Sequence, residues 1–320
     1  LSGGPGGDDM RGGAGRDAAD YSEAGGNVTV VLDDAPNDGQ GGEGDNVRSD
    51  VEDVRGGGVQ DTFTGSRDGN DLDGGAGEDY VDGRGGRDEL RGGTSRDVVR
   101  ARDGNRDLVD CGRSADFAIV DRRDVVRNCE RKDAGRARAR LGRDVVVRPK
   151  GVRLQFGLPR SRRTVPLLDT IGVPVATTLD ARGGSLRLTS ARSRGKSQSA
   201  TFSSGLFTVL QARSRRPITE LRLKGGDFRR CGTRAGRGRA GAAQRRRRTI
   251  RRLRGNARGR FRTRGRYSAA TVRGTDYTVE DRCDGTLTRV RRGVVLVRDF
   301  RRRRTVTVRA GRSYLARARR

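Results

Sequence analysis

Apolar residues in the first third of this chain keep a period of nine. Six windows follow one another without a gap from Gly56 (GGGVQDTFT, GSRDGNDLD, GGAGEDYVD, GRGGRDELR, GGTSRDVVR, ARDGNRDLV), and two more open at Gly3 (GGPGGDDMR, GGAGRDAAD). Aligned as G-G-x-G-x-D-x-U-x, the eighth position holds Met10, Ala19, Phe63, Leu72, Val81, Leu90, Val99 and Leu108. All eight are apolar in a chain that is 31% hydrophobic, an outcome that chance gives roughly once in 10⁴ trials. The sixth position is Asp8, Asp17, Asp61, Asp79, Asp88 or Asp97 in six windows, Asn70 in the seventh and Arg106 in the last.

This pattern predicts an all-β coil. A glycine-rich hexapeptide accepts the positive φ and close backbone approaches that other residues resist. The x-U-x triplet that remains is a minimal strand with U on one face. Two windows make one full coil, so residues eighteen apart stack about 4.8 Å from each other in a parallel sheet. The U side chains fill the interior and every turn carries one Asp. A disordered glycine-rich tract would not hold Asp and an apolar residue at fixed phases. Continuing by nine from Leu108 reaches Phe117 and Val126, which predicts two degenerate coils beyond the last window. Cys111 and Cys129 are eighteen apart, and one strand spacing suits a disulfide. The alternative is a pair of buried free thiols. The four cysteines lack any C-x-x-C and the chain has no histidine, so zinc is poorly supported.

The nonapeptide resembles the haemolysin-type repeat of RTX-like proteins. That resemblance implies a parallel β-roll ordered by Ca²⁺, with Asp8, Asp17, Asp61, Asn70, Asp79, Asp88 and Asp97 as ligands together with turn carbonyls. Calcium takes six to eight oxygens, and carboxylates and carbonyls provide them. Every second turn stacks, giving Asp61, Asp79 and Asp97 on one edge and Asn70, Asp88 and Arg106 on the other. The second edge is expected to bind less well, because Arg106 places a cation there. Between the two repeat blocks, YSEAGGNVTVVLDDAPNDGQGGEGDNVRSDVEDVRG (21–56) is similar to an insertion common in the same class. Val28, Val30 and Leu32 alternate as in a half-buried strand. The acidic loop after them reads either as a further cation site or as a solvated loop. The chain opens on Leu, without an initiator Met, which predicts further coils upstream that complete the sites at Asp8 and Asp17.

Charge divides the chain. Residues 1–133 carry 31 Asp/Glu against 18 Lys/Arg, net −13, and residues 134–320 carry 10 against 52, net +42. The expected organisation is a roll over 1–133 with an insertion at 21–55, a linker and leading strands over 134–164, and a second domain over 165–320. Only Lys132, Lys150, Lys196 and Lys224 are lysine among the basic residues. An arginine excess of this kind follows base composition as readily as it marks a binding surface.

From 144 onward short apolar runs alternate with period two: VVV (145–147), VRLQF (152–156), SLRLTS (185–190), LFTVLQ (206–211), ITELRLK (218–224), TLTRVRRGVVLVRDF (286–300) and TVTVRAG (305–311). They predict a mainly antiparallel β domain. Val272–Thr275, Thr288–Val297, Val306–Gly311 and the upstream VPLLDTIGVPVATTLDARGGSLRLTS resemble the FecR-type β domain over about 165–316. The resemblance implies an extracytoplasmic, non-catalytic role in sensing or surface assembly. Cys231 and Cys283 are candidates to bridge this domain. The Gly- and Arg-rich 232–265 interrupts the pattern and reads as an insertion, either a polyanion-binding loop or a bland surface excursion.

With no histidine, Ser-His-Asp and Cys-His catalysis is excluded, so the chain is not read as an enzyme. Two functions remain. One is a secreted or cell-surface calcium-binding protein, since paired cysteines and sparse carboxylate sites suited to millimolar calcium favour the extracellular side. The other is a polyanion- or nucleic-acid-binding protein that uses the basic half. No apolar stretch is long enough to span a membrane.

Overall fold

The triplets at 62–64, 71–73, 80–82 and 89–91 fold as strands that alternate between two parallel sheets. The computed structural model describes residues 1–193, 195–214, 216–231, 247–272 and 274–318. Among them the chain is all-β apart from a 3₁₀ turn at Phe228–Cys231, and it divides into two units, Leu1–Arg136 and Ala137–Arg320.

In the first unit, one sheet runs Val125–Arg127, Leu108–Asp110, Glu89–Arg91, Asp71–Asp73, Asp53–Arg55 and Ala18–Asp20. Its interior column, Val126, Val109, Leu90, Leu72, Val54 and Ala19, is in direct register. The facing sheet stacks Val30, Phe63, Val81, Val99 and Ala118 in the same way. Phe63, Leu72, Val81, Leu90, Val99 and Val109 are fully buried, as one apolar residue per nine must be if it is the whole interior of its half-coil. The column ends at Lys132, which pairs with Ala118 and is exposed.

The period slips after the fifth uninterrupted window. The strand Val98–Ala101 has four residues, so the next coil starts one residue late. Glu89 pairs with Leu108 and Val98 with Phe117, offsets of nineteen instead of eighteen. The interior slots are therefore Val109 and Ala118, not Leu108 and Phe117, whereas Val126 does face in. By the same shift Arg106 is exposed and Asp107, which is buried, holds the turn phase. The expectation of a cation within the Asn70–Asp88 series is thus corrected.

The insertion is built into the roll. Val28–Val31 joins the facing sheet beside Thr62–Thr64, Asn46–Val47 pairs with Asp9–Met10, and Asp53–Arg55 lies between Ala18–Asp20 and Asp71–Asp73. The opening windows stack on the insertion, which supplies the apolar slots Val47 and Val54. A disulfide joins Cys111 and Cys129 with Cα atoms 5.1 Å apart, as their stacking predicts.

The second unit is one mainly antiparallel sheet that curls toward a barrel. Its longest strands, Asp144–Gly157 and Thr178–Ser193, pair along most of their length. One parallel pair, Thr219–Leu223 with Phe261–Arg264, breaks the antiparallel order. Phe202, Phe207 and Phe261 pack edge to face in the interior. The expected insertion at 232–265 is shorter than its composition suggests: Thr249–Arg258 and Phe261–Arg264 are paired strands, while 232–246 lies outside the described residues. The inward positions of Thr249–Arg258 are Leu253, Gly255 and Ala257. At Gly255 a Cβ would sit 2.9 Å from the rings of Phe202 and Tyr277, so small residues are required where apolar alternation was sought. Cys231 and Cys283 form a second disulfide. Among the described residues no helix is long and apolar enough to cross a membrane.

Candidate metal centre

Each edge of the roll is a stack of turns, and each turn directs its sixth residue inward. Asp61, Asn70, Asp79, Asp88 and Asp97 are at most 3% exposed, and Asp107 and Asp116 continue the two rows equally buried. On one edge the N–H of Asp61 donates to Oδ1 of Asp79 (2.7 Å), that of Asp79 to Asp97 (2.8 Å) and that of Asp97 to Asp116 (2.9 Å). On the other edge Asn70 donates to Asp88 (2.9 Å), Asp88 to Asp107 (2.9 Å) and Asp107 to Asp124 (3.3 Å). One carboxylate oxygen per turn thus holds the next coil in register.

The second oxygen lies against the first glycine of its own turn. A Cβ on Gly83 would approach Oδ2 of Asp88 to 2.2 Å, and one on Gly74 or Gly92 would approach Asp79 or Asp97 to 2.9 Å. This is the packing reason for the leading glycine of these windows; the sixth uninterrupted window opens instead on Ala101. Asp61 uses its Oδ2 to accept the N–H of Gly57 at 3.0 Å. The Oδ2 atoms of Asp8, Asp17, Asp88, Asp107 and Asp116 are buried and accept no hydrogen bond. A buried carboxylate oxygen without a partner is costly unless a cation meets it. Asn70 differs: its Nδ2 donates to the Glu52 carbonyl at 3.2 Å and its Oδ1 accepts Ser66 N–H at 2.8 Å. A carboxylate could not make the first of these bonds.

The electrostatics follow from this burial. Loss of hydration pushes the Asp88 carboxyl up to about 7, with Asp107, Asp103 and Asp82 adding repulsion. Burial likewise raises Asp107 and Asp116 to about 6, and Asp124 moves in the same direction. The charges acting most strongly on Asp88 and Asp107 are all negative, which is the environment a bound cation relieves.

The opening windows use different partners. Asp8 donates its N–H to Oδ1 of Asp45 at 3.0 Å, and Asp17 to Oε2 of Glu52 at 2.9 Å. Asp45 and Glu52 therefore act as turn acids within the insertion; GGEGDNV (41–47) leads Asp45 with a shortened glycine turn, whereas no glycine marks Glu52. Asp45 also accepts the Tyr21 hydroxyl at 2.8 Å, and Asp38 accepts the N–H groups of Val31 and Val47. Asp38 thus ties the backbone of the insertion, while Asp45 ties the insertion to the opening window and to Tyr21.

Among the described residues no three His, Cys, Asp or Glu side chains converge to hold a metal. The carboxylates enter one per turn, so a cation on either edge needs carbonyl ligands as well. Those of Gly57, Gly75 and Gly93 each accept one N–H from the next turn, at 2.8, 2.8 and 2.9 Å, and a carbonyl has a second lone pair. Such an all-oxygen set suits a hard cation of flexible coordination, calcium before magnesium. Three of the turn acids, Asp107, Asp116 and Asp124, were not evident from the nine-residue phase. The signal for Asp107 and Asp124 is the recurring Arg-Asp two residues before an apolar one in RDEL (87–90), RDVV (96–99 and 123–126) and RDLV (106–109), which aligns Asp107, not Arg106, with Asp88 and Asp97; Asp116 follows Ala115 and lacks it. No protein-family model matches the chain, and neither a curated protein nor a solved structure matches it.

Proposed function

We propose that the first unit is a calcium-binding roll, ordered by Ca²⁺ on both edges, in a protein that works outside the cytoplasm, secreted or at a cell surface. The observation that carries this reading is the pair of buried acid rows, in which Asp88, Asp107 and Asp116 keep an oxygen that no donor meets. Asp61, Asp79, Asp97 and Asp116 take ions on one edge. Asp88, Asp107 and Asp124 do so on the other, with Asn70 as a neutral neighbour. Asp8 and Asp17 serve the opening coils together with Asp45 and Glu52. The two disulfides favour an oxidising compartment. The second unit, read as a FecR-type domain, has a non-catalytic part in sensing or attachment.

Calorimetric titration of chelator-treated protein tests the reading. The expected result is binding of several Ca²⁺ per chain in the range up to millimolar, with Mg²⁺ giving far less heat. Saturation by Mg²⁺ at equal concentration, or no Ca²⁺ heat at all, would remove it.

A further inference from the structure

The basic half is not uniformly basic, because many of its arginines are paired. Arg182 meets Asp180, Arg251 meets Asp281, Arg252 meets Glu280, Arg254 meets Asp276 and Arg282 meets Asp284. A different arrangement surrounds a cavity of about 640 Å³ lined by Arg192, Ser193, Lys196, Arg216, Pro217, Gly259 and Arg260. Four of these seven residues are cations, and none has a carboxylate within ion-pair distance among the described residues.

The cations come from three turns that one buried polar cluster fixes. Gln198 accepts the Arg260 N–H at 2.8 Å and donates to the Arg260 carbonyl at 3.2 Å. It also donates to Ser190 Oγ (3.3 Å) and Thr219 Oγ1 (3.2 Å), and Ser190 and Thr219 bond each other at 2.6 Å. Gln211 donates to Thr219 at 3.1 Å and to the carbonyl of Ala191 at 2.8 Å. The backbone beside Arg192, beside Pro217 and at Arg260 is thereby held from within. Gly259, at φ +134°, lets its turn close on Gln198, whose side chain a Cβ would meet at 2.7 Å. Like charges gathered on a fixed frame without counterions repel one another, and an anion relieves that repulsion.

We infer that this cavity is a binding site for an acidic saccharide carrying two or more sulfate or carboxylate groups. Arginine forks match such oxyanions in a bidentate manner, and the volume is that of a ligand pocket and not of a single ion. Among the described residues the lining contains no aromatic side chain, so these offer no platform on which a nucleobase could stack. This inference does not depend on calcium binding by the roll.

The test is fluorescence polarisation with a labelled, sulfated uronic-acid tetrasaccharide, run on the calcium-saturated 320-residue chain. The triple variant Arg192→Ser, Lys196→Ser, Arg216→Ser alters exposed side chains only. A control triple, Arg291→Ser, Arg298→Ser, Arg309→Ser, removes the same charge from exposed sites elsewhere in the unit. The expected result is a loss of at least about tenfold for the cavity triple and less than about twofold for the control, with binding that weakens as salt rises. Equal losses in both triples would overturn the site in favour of net charge alone. Tighter binding of an oligothymidine of matched charge would overturn the saccharide assignment, and displacement by millimolar inorganic sulfate would reduce the cavity to a simple ion site.

Discussion

The N–H of Asp88 donates to Oδ1 of Asp107 at 2.9 Å, nineteen residues along the chain. That contact takes the place of an eighteen-residue step that would have presented Arg106. It keeps an acid in the second edge and leaves Arg106 in solvent. Asp107→Ala should therefore destabilise the roll by about 1–3 kcal/mol, because it strips a buried donor of its acceptor, and should raise the calcium midpoint. Arg106→Ala should change stability by no more than about 0.5 kcal/mol, as exposed sites usually do. Urea unfolding at fixed calcium compares the two directly.

Glycine stacking gives a second prediction. At Gly93, φ is +101° and a Cβ would lie 1.9 Å from the Gly75 carbonyl oxygen; at Gly104, φ is +98° but the space is open. Both Gly→Ala changes incur left-handed strain of about 1–2 kcal/mol. Only Gly93→Ala adds a backbone clash in the turn stack, so it should cost at least about 1 kcal/mol more than Gly104→Ala, in the manner of overpacking. Thermal unfolding with calcium present should separate them by several degrees.

Acid should stabilise the roll without calcium and weaken it with calcium. Burial raises Asp88 to about 7 and Asp107 and Asp116 to about 6, above the ordinary value near 3.8. The folded state then binds more protons than the unfolded chain between about pH 4 and 7, so calcium-free stability falls as pH rises through that window. In chelator, protection of the roll should be greater at pH 5 than at pH 8. With calcium present, protons compete for the same oxygens, so the calcium midpoint should rise as pH drops below about 7.

Much of this fold was legible in the chain because a roll repeats. Leu72 and Leu90 had to face inward since their triplets, DLD and ELR, offer no other apolar residue, and the same stacking placed Cys111 beside Cys129. The one-residue slip at Ala101 was hidden because Leu108 and Val109 are both apolar, as are Phe117 and Ala118. Composition cannot choose a register between neighbours of equal hydrophobicity. In the second unit the strand Thr249–Arg258 was masked by an inward face of Leu253, Gly255 and Ala257, small because two rings lie against it. Asp45 and Glu52 were hidden in the insertion because tertiary stacking gives them their partners, Asp8 and Asp17.

The Cys111–Cys129 bridge closes a short loop at the end of the roll, where Val126 is only partly buried and Lys132 ends the interior column. Chain entropy assigns such a cross-link about 3 kcal/mol. Cys111→Ser with Cys129→Ser should open residues 110–130 to proteolysis while calcium still protects the coils at 56–100. Non-reducing peptide mapping should find Cys111 linked to Cys129 in the parent protein; a link to Cys231 or Cys283 would contradict the stacking.

The most direct test of the account is hydrogen exchange followed by mass spectrometry on the full chain at pH 7.5, with excess chelator and then with about 5 mM calcium, several-fold above the roughly millimolar upper end of dissociation constants for extracellular modules. One apolar residue per nine is a thin interior for a glycine-rich backbone that loses about 1–2 kcal/mol of conformational freedom per residue on ordering. Protection across 56–133 should therefore appear only with calcium, while the strands Asp144–Gly157 and Thr178–Ser193 stay protected in both conditions. Equal protection of 56–133 in chelator and in calcium would contradict the claim that calcium orders the roll.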